Sequence, residues 1–254
     1  MELRDKHVWL IGASSGIGAA LVPALIAQGA RLALSSRDEG ALHEIADRCG
    51  APDAPIIVKP LDVTHRDALP GAAAALHAAW GAIDVMIYNA GTWTPIDVAQ
   101  WDADKFEAMI AVNYTGMQRA IAAVLPDMLS RHRGEIVGVG SLSAYAGFPR
   151  AEAYGSTKAA VNSLLQSLRL DVKKLGVGVT TVNPGFVKTN LTEGNDFPMP
   201  FMIEPEQAAA AIVKGMLSGD AEIHFPKRLS LPLKLLTALP RPAYEFLAGR
   251  LLKR

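Results

Sequence analysis

Tyr154 and Lys158 stand four residues apart in the sequence. On a helix, that spacing puts both side chains on one face with Cβ atoms about 5–6 Å apart, so a phenol and an ammonium can share one ligand. An isolated phenol, with a pKa of roughly 10, is a poor proton shuttle at neutral pH. A cation beside it favours the phenolate and lowers that value, which makes a tyrosine a usable general acid or base. Ser141 lies thirteen residues before Tyr154, in a small-residue loop that can bring its hydroxyl back to the same substrate oxygen. Together the three would serve a carbonyl or an alcohol. Tyr-x-x-x-Lys is also a common helical pair with no role, so what matters is whether the rest of the chain builds a site around it.

Ser141 follows a predicted strand, Glu135 to Val139, and a predicted helix carries Tyr154 and Lys158. Earlier in the chain, Val8 to Ile11 is a short apolar run, followed by the turn Gly12-Ala13-Ser14-Ser15-Gly16-Ile17-Gly18 and a helical stretch from Ala19 to Gln28. Strand, glycine turn and helix in that order open a βαβ unit. Glycines let backbone approach a pyrophosphate, and the helix start offers free N–H groups and a favourable dipole to an anion. Arg31 to Ser35 is the next strand, and at its end a dinucleotide site usually places an acidic residue against the adenosine ribose. This chain has Ser36 and Arg37 there. A carboxylate would repel a 2′-phosphate, whereas a guanidinium with a hydroxyl beside it can bind one, so NADP(H) is favoured over NAD(H). The other reading of Arg37 is the start of the solvated face of a helix from Asp38 to Arg48.

Further elements follow in alternation. Ile56 to Val58 leads to Leu61-Asp62-Val63, where Asp62 can accept from an adenine amino group or cap the helix predicted from His65 to Trp80. Ile83 to Tyr88 is a fourth strand ending at Asn89-Ala90-Gly91, small residues suited to a crevice edge beside a cofactor. Residues 102 to 130 carry an amphipathic pattern interrupted at Asn113-Tyr114-Thr115-Gly116, which predicts a local helix distortion. Asn113 either holds a water in a proton path or caps a break between two helices. Val177 to Val182 is a sixth strand, followed by a turn at Pro184 and Gly185; the backbone near Val187 and the Thr189 hydroxyl can pin a planar carboxamide. Such alternation predicts an α/β fold with a doubly wound parallel sheet.

The chain has 254 residues with 25 basic and 25 acidic side chains, long enough for one large domain over residues 1–254 and without a nucleic-acid bias. From Ile223 onward, seven basic residues face one acidic residue, giving a +6 tail and a −6 body. Cys49 is the sole cysteine, which excludes an intrachain disulfide framework. No signal-peptide pattern, membrane span or metal-ligand set is read, so a cytoplasmic protein is expected.

The set Gly12-x-x-x-Gly16-x-Gly18, Asn89-Ala90-Gly91, Asn113, Ser141, Tyr154-x-x-x-Lys158 and Pro184-Gly185 resembles the short-chain dehydrogenase/reductase family over residues 6 to about 225. The resemblance implies a Rossmann-like, seven-stranded, three-layer sandwich and hydride transfer between nicotinamide and a carbonyl or secondary alcohol. By position, Tyr154 would be the proton donor or acceptor. Lys158 would bind the nicotinamide ribose and lower the Tyr154 pKa, Ser141 would orient the substrate oxygen, and Asn113 would hold a water linking Lys158 to solvent. Two residues depart from the pattern: Ile11 stands where a threonine is usual, and Ser15 where NADP-binding members carry a basic residue. The NADP(H) reading therefore rests almost wholly on Arg37. Family members pair through the helices at 102–130 and 151–174, which implies a homodimer or homotetramer.

Substrate choice is expected to lie in the apolar loop Asn190 to Glu204, a flexible hydrophobic wall if it does not pack as ordinary core. The basic, leucine-rich extension 227–254 suits either peripheral contact with an anionic membrane or a helical hairpin docked on the domain. The resulting reading is an NADP(H)-dependent oxidoreductase for a small hydrophobic carbonyl or alcohol. A 3-oxoacyl-chain reductase and a non-catalytic, cofactor-sensing Rossmann protein are the alternatives.

Overall fold

A computed structural model describes residues 1–51 and 54–251 of the chain. The apolar runs form a parallel sheet of β1 (His7–Ile11), β2 (Arg31–Ser35), β3 (Ile57–Val58), β4 (Val85–Tyr88), β5 (Gly134–Val139), β6 (Val177–Pro184) and β7 (Glu222–Phe225), in the order β3-β2-β1-β4-β5-β6-β7. Strand order reverses between β1 and β4, the point at which a crevice opens at the carboxyl edge of a doubly wound sheet.

Strands buried on both faces read as continuous apolar runs, and alternate side chains go to opposite layers. Val8 and Leu10 of β1, with Leu34, Ile87 and Val182, pack against α1 (Gly16–Ile26), α2 (Glu39–Cys49) and α7 (Pro205–Ser218). Trp9 and Ile11 face the other way, with Met86, Tyr88 and Ile136, against α3 (Ala68–Trp80), α5 (Gly116–Ser130) and α6 (Glu152–Val172). The expected three-layer sandwich is thus two cores on one sheet.

The long helical pattern resolves into α4 (Ala103–Ile110), a π-helical turn at Ala111–Thr115, and α5, running on without a break. From β4, the Tyr88 hydroxyl donates to the Val112 carbonyl at 2.6 Å. Gly116 makes room for it, since a Cβ there would lie 2.1 Å from that oxygen. An inserted donor explains the widened turn. Asn113 is consequently not a cap between two helices.

Three other expectations change. The helix expected from His65 begins at Ala68, because Asp62 Oδ1 accepts from Thr64 N at 2.8 Å and Thr64 Oγ1 at 2.7 Å and closes a turn of its own. Asp62 therefore does not cap α3, where Asp67 holds the N-cap position. Pro184 is not in a turn either. It ends β6, paired with Phe225, and Gly185 N continues the ladder to the Phe225 carbonyl at 2.7 Å. A proline is tolerated at a strand's last residue because the next N–H takes up the ladder.

The C-terminal extension forms α8 (Lys227–Thr237) and α9 (Arg241–Leu251), with Ser230 of α8 buried against His224 of β7 at 2.7 Å. This is the docked hairpin, with Leu231, Leu235, Leu239 and Phe246 left facing outward. Leu252, Lys253 and Arg254, which belong to the same basic segment, lie outside the described residues. Among the described residues no helix is long and apolar enough to cross a membrane.

Candidate active site

The crevice is lined first by the glycine turn between β1 and α1. Gly12 has φ +86°, a backbone state that favours glycine. Its N–H donates to the Ser35 carbonyl at 2.7 Å, and Asn89 Nδ2 donates to its carbonyl at 2.8 Å. A Cβ at Gly18 would come within 1.9 Å of the Gly12 oxygen, so α1 enters the turn with no space for a side chain. Thr189, from the loop after β6, closes over Gly16, where a Cβ would meet its Cγ2 at 2.7 Å. No side chain caps the start of α1 at Ser15, which leaves first-turn N–H groups beside Ser14 and Ile17 for a ligand. A backbone-walled cradle at a helix start fits the pyrophosphate of a dinucleotide.

At the far end of β2, Asp38 caps α2 by accepting from Ala41 N at 3.0 Å, and the Ser36 hydroxyl donates to the Asp38 carbonyl at 3.3 Å. Arg37 thus lies one residue ahead of the helix N-cap. Arg37 is exposed, near enough to Asp62 for its charge to act on that carboxylate. Burial raises the Asp62 pKa, but the two Thr64 bonds and the charges of Arg37 and His65 outweigh it and hold the carboxylate below its usual value. Val63 beside it is buried in the core under α5.

The third part sits where β4, β5 and β6 end. Lys158 is 3% exposed and donates to the Val139 carbonyl at 2.8 Å, with Nζ 5.7 Å from the Tyr154 ring centre. Gly91 leaves this space open, because a Cβ there would lie 3.5 Å from both Lys158 Nζ and Asn113 Oδ1. Asn113 is wholly buried in the π-helical turn and grips Thr92 twice, accepting from its N–H at 2.8 Å and donating to its carbonyl at 3.0 Å. It also donates to Thr157 Oγ1 at 3.0 Å. Asn113 therefore ties the loop after β4 to α6. Ser141 Oγ accepts from Ser143 N at 3.1 Å and from Ser143 Oγ at 2.8 Å, which leaves its own proton to donate towards Tyr154.

The electrostatics differ from the expectation that Lys158 lowers the Tyr154 pKa. Burial pushes Tyr154 up to about 12, only partly offset by Ser141. Burial also pushes Lys158 down to about 8. A low-polarity surrounding disfavours both charged forms, and the ammonium bonds the Val139 carbonyl.

Several residues beyond the expected set shape the site. Trp93 packs edge-on against Tyr154, with ring centres 5.3 Å apart, and donates from Nε1 to Asn195 Oδ1 at 3.0 Å. Arg150 reaches Asp196 of the same loop. Phe197 lies against Phe186, whereas Phe201 and Met202 are exposed, so the 190–204 loop forms a rim and not a core. Val187 sits at its base, bridged to Ile203. Asn183, 1% exposed, accepts from Ser141 N at 3.0 Å. Trp93 follows directly on the strand-end segment Asn89 to Thr92, and that position was its only signal in the sequence. Asn183 carried none, because strand order brings it beside Ser141.

Residues 6–197 match the family model for short chain dehydrogenase. A protein of Myxococcus xanthus (strain DK1622), described as an uncharacterized oxidoreductase, is 36% identical over 98% of this chain and 99% of its own length. A short chain dehydrogenase from Burkholderia cenocepacia J2315, solved in complex with NADP, superposes with a TM-score of 0.85 at 24% identity over 100% of both chains. A short chain dehydrogenase/reductase from Burkholderia phymatum, solved in complex with NAD, has a TM-score of 0.85 at 22% identity, covering 92% of this chain and 94% of its own.

Proposed function

The chain belongs to the short-chain dehydrogenase family, and from that premise we propose that it is an NADP(H)-dependent carbonyl reductase or secondary-alcohol dehydrogenase for a hydrophobic substrate. One observation carries the reading: Ser141, Tyr154 and Lys158 meet at the carboxyl ends of β5 and α6's first turns, in the same crevice as the glycine cradle. When bound, the nicotinamide supplies or takes the hydride.

The turn from Gly12 to Gly18 holds the pyrophosphate, and Ser36 and Arg37 take the ribose phosphate. Asp62 and Val63 border the adenine. Asn89, Ala90 and Gly91 line one wall, while Pro184, Gly185, Val187 and Thr189 line the nicotinamide end. Tyr154 gives or receives the proton at the substrate oxygen, and Ser141 donates a hydrogen bond to that same oxygen. A phenol held at about 12 stays protonated at neutral pH, which suits it to donate in the reducing direction. Lys158, fixed by its bond to the Val139 carbonyl, brings a positive charge beneath the site, and Asn113 fixes the walls around it. Trp93, Phe186 and Phe197 give the rim the apolar, aromatic character that favours a hydrophobic substrate.

The test is NADPH consumption with a set of hydrophobic ketones including benzil, for the parent and for Tyr154→Phe. Loss of the proton donor should lower kcat by about a thousandfold, within the range seen for general acid–base groups. Full turnover in Tyr154→Phe would overturn the mechanism.

A further inference from the structure

Glu222, at the start of β7, joins three segments that are far apart in the chain. Its Oε1 accepts from the Tyr145 hydroxyl and from Asn183 Nδ2 at 2.9 Å, and its Oε2 accepts from Lys234 Nζ of α8 at 2.6 Å. Asn183 Nδ2 also reaches the Tyr145 hydroxyl at 3.2 Å, and Lys234 lies 5.3 Å above the centre of the Tyr145 ring. On its other side, Asn183 accepts from the Ser141 N–H through Oδ1 at 3.0 Å.

The chemistry of these groups fixes a direction. An ionised carboxylate only accepts, while an asparagine amide has one donating end and one accepting end. Glu222 therefore requires Asn183 to turn its NH2 towards it, and this turns the amide oxygen towards Ser141. A neutral or displaced Glu222 would remove that requirement, and the buried amide could face either way.

The C-terminal hairpin also packs at Gly185, beside the serine loop, and meets the loop at one more place. At Gly185 a Cβ would lie 3.0 Å from Leu229 of α8 and 3.2 Å from Leu142, the residue after Ser141. From α9, the Tyr244 hydroxyl donates to the Gly147 carbonyl at 3.3 Å. The hairpin thus meets the loop at Tyr145, through Lys234, and at Gly147, through Tyr244.

We propose that Glu222, held by Lys234, is a positioning residue that fixes Ser141 through Asn183 and Tyr145, so that α8 sets the geometry of the active-site floor. The functional part of this inference rests on the reading of Ser141 as the group that binds the substrate oxygen. A half-exposed ion pair contributes little to stability by itself. Here the pair matters because it holds a carboxylate that orients a buried amide. Burial raises the Glu222 pKa, but the bonds from Lys234, Tyr145 and Asn183 prevail and hold it at about 2. Besides Lys234 and Tyr145, the titratable groups coupled to Glu222 are Arg169 of α6 and His224 of β7, the latter lowered mainly by burial.

The experiment uses the full chain with isotope-labelled serine and compares the parent with Lys234→Ala, Lys234→Arg and Glu222→Gln. NMR reads exchange of the Ser141 amide and its resonance against pH, and NADPH oxidation with a hydrophobic ketone that the parent reduces reads kcat and KM. In Lys234→Ala, Ser141 protection should fall about tenfold, roughly the effect of one lost hydrogen bond, while β5 core amides stay protected. Without Lys234, Glu222 should titrate near the ordinary carboxylate range, so the Ser141 resonance should shift between pH about 4 and 6 where the parent's does not. Lys234→Arg should restore both signals, and kcat should fall about fivefold in Lys234→Ala with KM for NADPH unchanged. Parent-like Ser141 protection and a flat pH response in both Lys234→Ala and Glu222→Gln would overturn the proposal. A chain that reduces no ketone yet loosens at Ser141 would refute the catalytic reading and leave the clamp standing. Tyr154-dependent turnover with Ser141 undisturbed in the variants would refute the clamp alone.

Discussion

Asn113 and Lys158, in the floor of the site, are 0% and 3% exposed, whereas the loop at its rim leaves Phe201 51% and Met202 37% exposed. The floor is cross-linked to the sheet: Asn113 makes three hydrogen bonds to Thr92 and Thr157, and Lys158 bonds the end of β5. By contrast, the rim is attached by Trp93 to Asn195, by Arg150 to Asp196, by Thr192 to the Val187 carbonyl, and by the bridge at Val187 and Ile203 with its backbone bonds to Phe186 and Lys188. Groups that must meet a reacting oxygen within a fraction of an ångström are thus set in packed backbone, and groups that must accept a substrate's shape hang on a few replaceable contacts. The fixed part carries a cost, because it buries polar and charged groups that water would solvate better.

Lys158 tests that cost most sharply. Burial holds it at about 8 against 10.5 for a free lysine, which corresponds to about 3 kcal/mol of unfavourable interaction in the cofactor-free protein. Below pH 8 native and unfolded chains both carry the proton, and the full cost is present. As pH rises from about 8 towards 10.5, the native chain releases its proton while the unfolded chain keeps it, so this group's contribution to stability improves. Lys158→Met should therefore stabilise the cofactor-free protein at pH 7 by about 1–2 kcal/mol, after the lost bond to Val139 is counted, and should lower kcat about a thousandfold. The stabilisation should shrink as the pH is raised. Urea unfolding at pH 7 and above pH 10, with benzil reduction alongside, measures both effects. A destabilised Lys158→Met at pH 7 would break the contrast between a strained floor and a relaxed rim.

Arg37 lies between the two regimes, exposed like the rim but assigned to the cofactor. A charge-assisted bond to a 2′-phosphate should be worth about tenfold or more in affinity, so Arg37→Ala should weaken NADPH binding by that factor and leave NADH binding nearly unchanged. Fluorescence titration of both nucleotides reads the difference. Equal loss for both would remove Arg37 from nucleotide selection.

The floor was far more legible in the sequence than the rim. Glycine turns, Tyr154-x-x-x-Lys158 and the strand-end Asn89-Ala90-Gly91 are local patterns, and local patterns survive in one dimension. Layers and strand alternation were readable for the same reason. The π-helical turn was half legible: Asn113 and Gly116 signalled a distortion, but its cause, the Tyr88 hydroxyl arriving from β4, is a contact across 24 residues. Asp62 stayed ambiguous because an aspartate that caps a helix and one that closes its own turn look alike in sequence. The Ser141, Asn183 and Glu222 network could not be read at all, since the order β5-β6-β7 brings its members together. The upward shift of Tyr154 was not legible because spacing shows that a lysine stands near but not how deeply the phenol is buried.

Trp93 gives the smallest effect and the finest distinction, because one side chain touches both regions. Its ring lies edge-on to Tyr154 with an interplanar angle of 78°, and its N–H holds the rim through Asn195. If the floor is rigid on its own, losing the indole should leave proton transfer nearly intact and should loosen substrate capture. Trp93→Ala should then raise KM for benzil about fivefold with kcat within about twofold, while Trp93→Phe, which keeps a ring and loses the N–H, should fall between that variant and the parent. A fall in kcat as large as the rise in KM would mean that Trp93 sets the Tyr154 geometry, so the boundary between floor and rim would have to be drawn outside it.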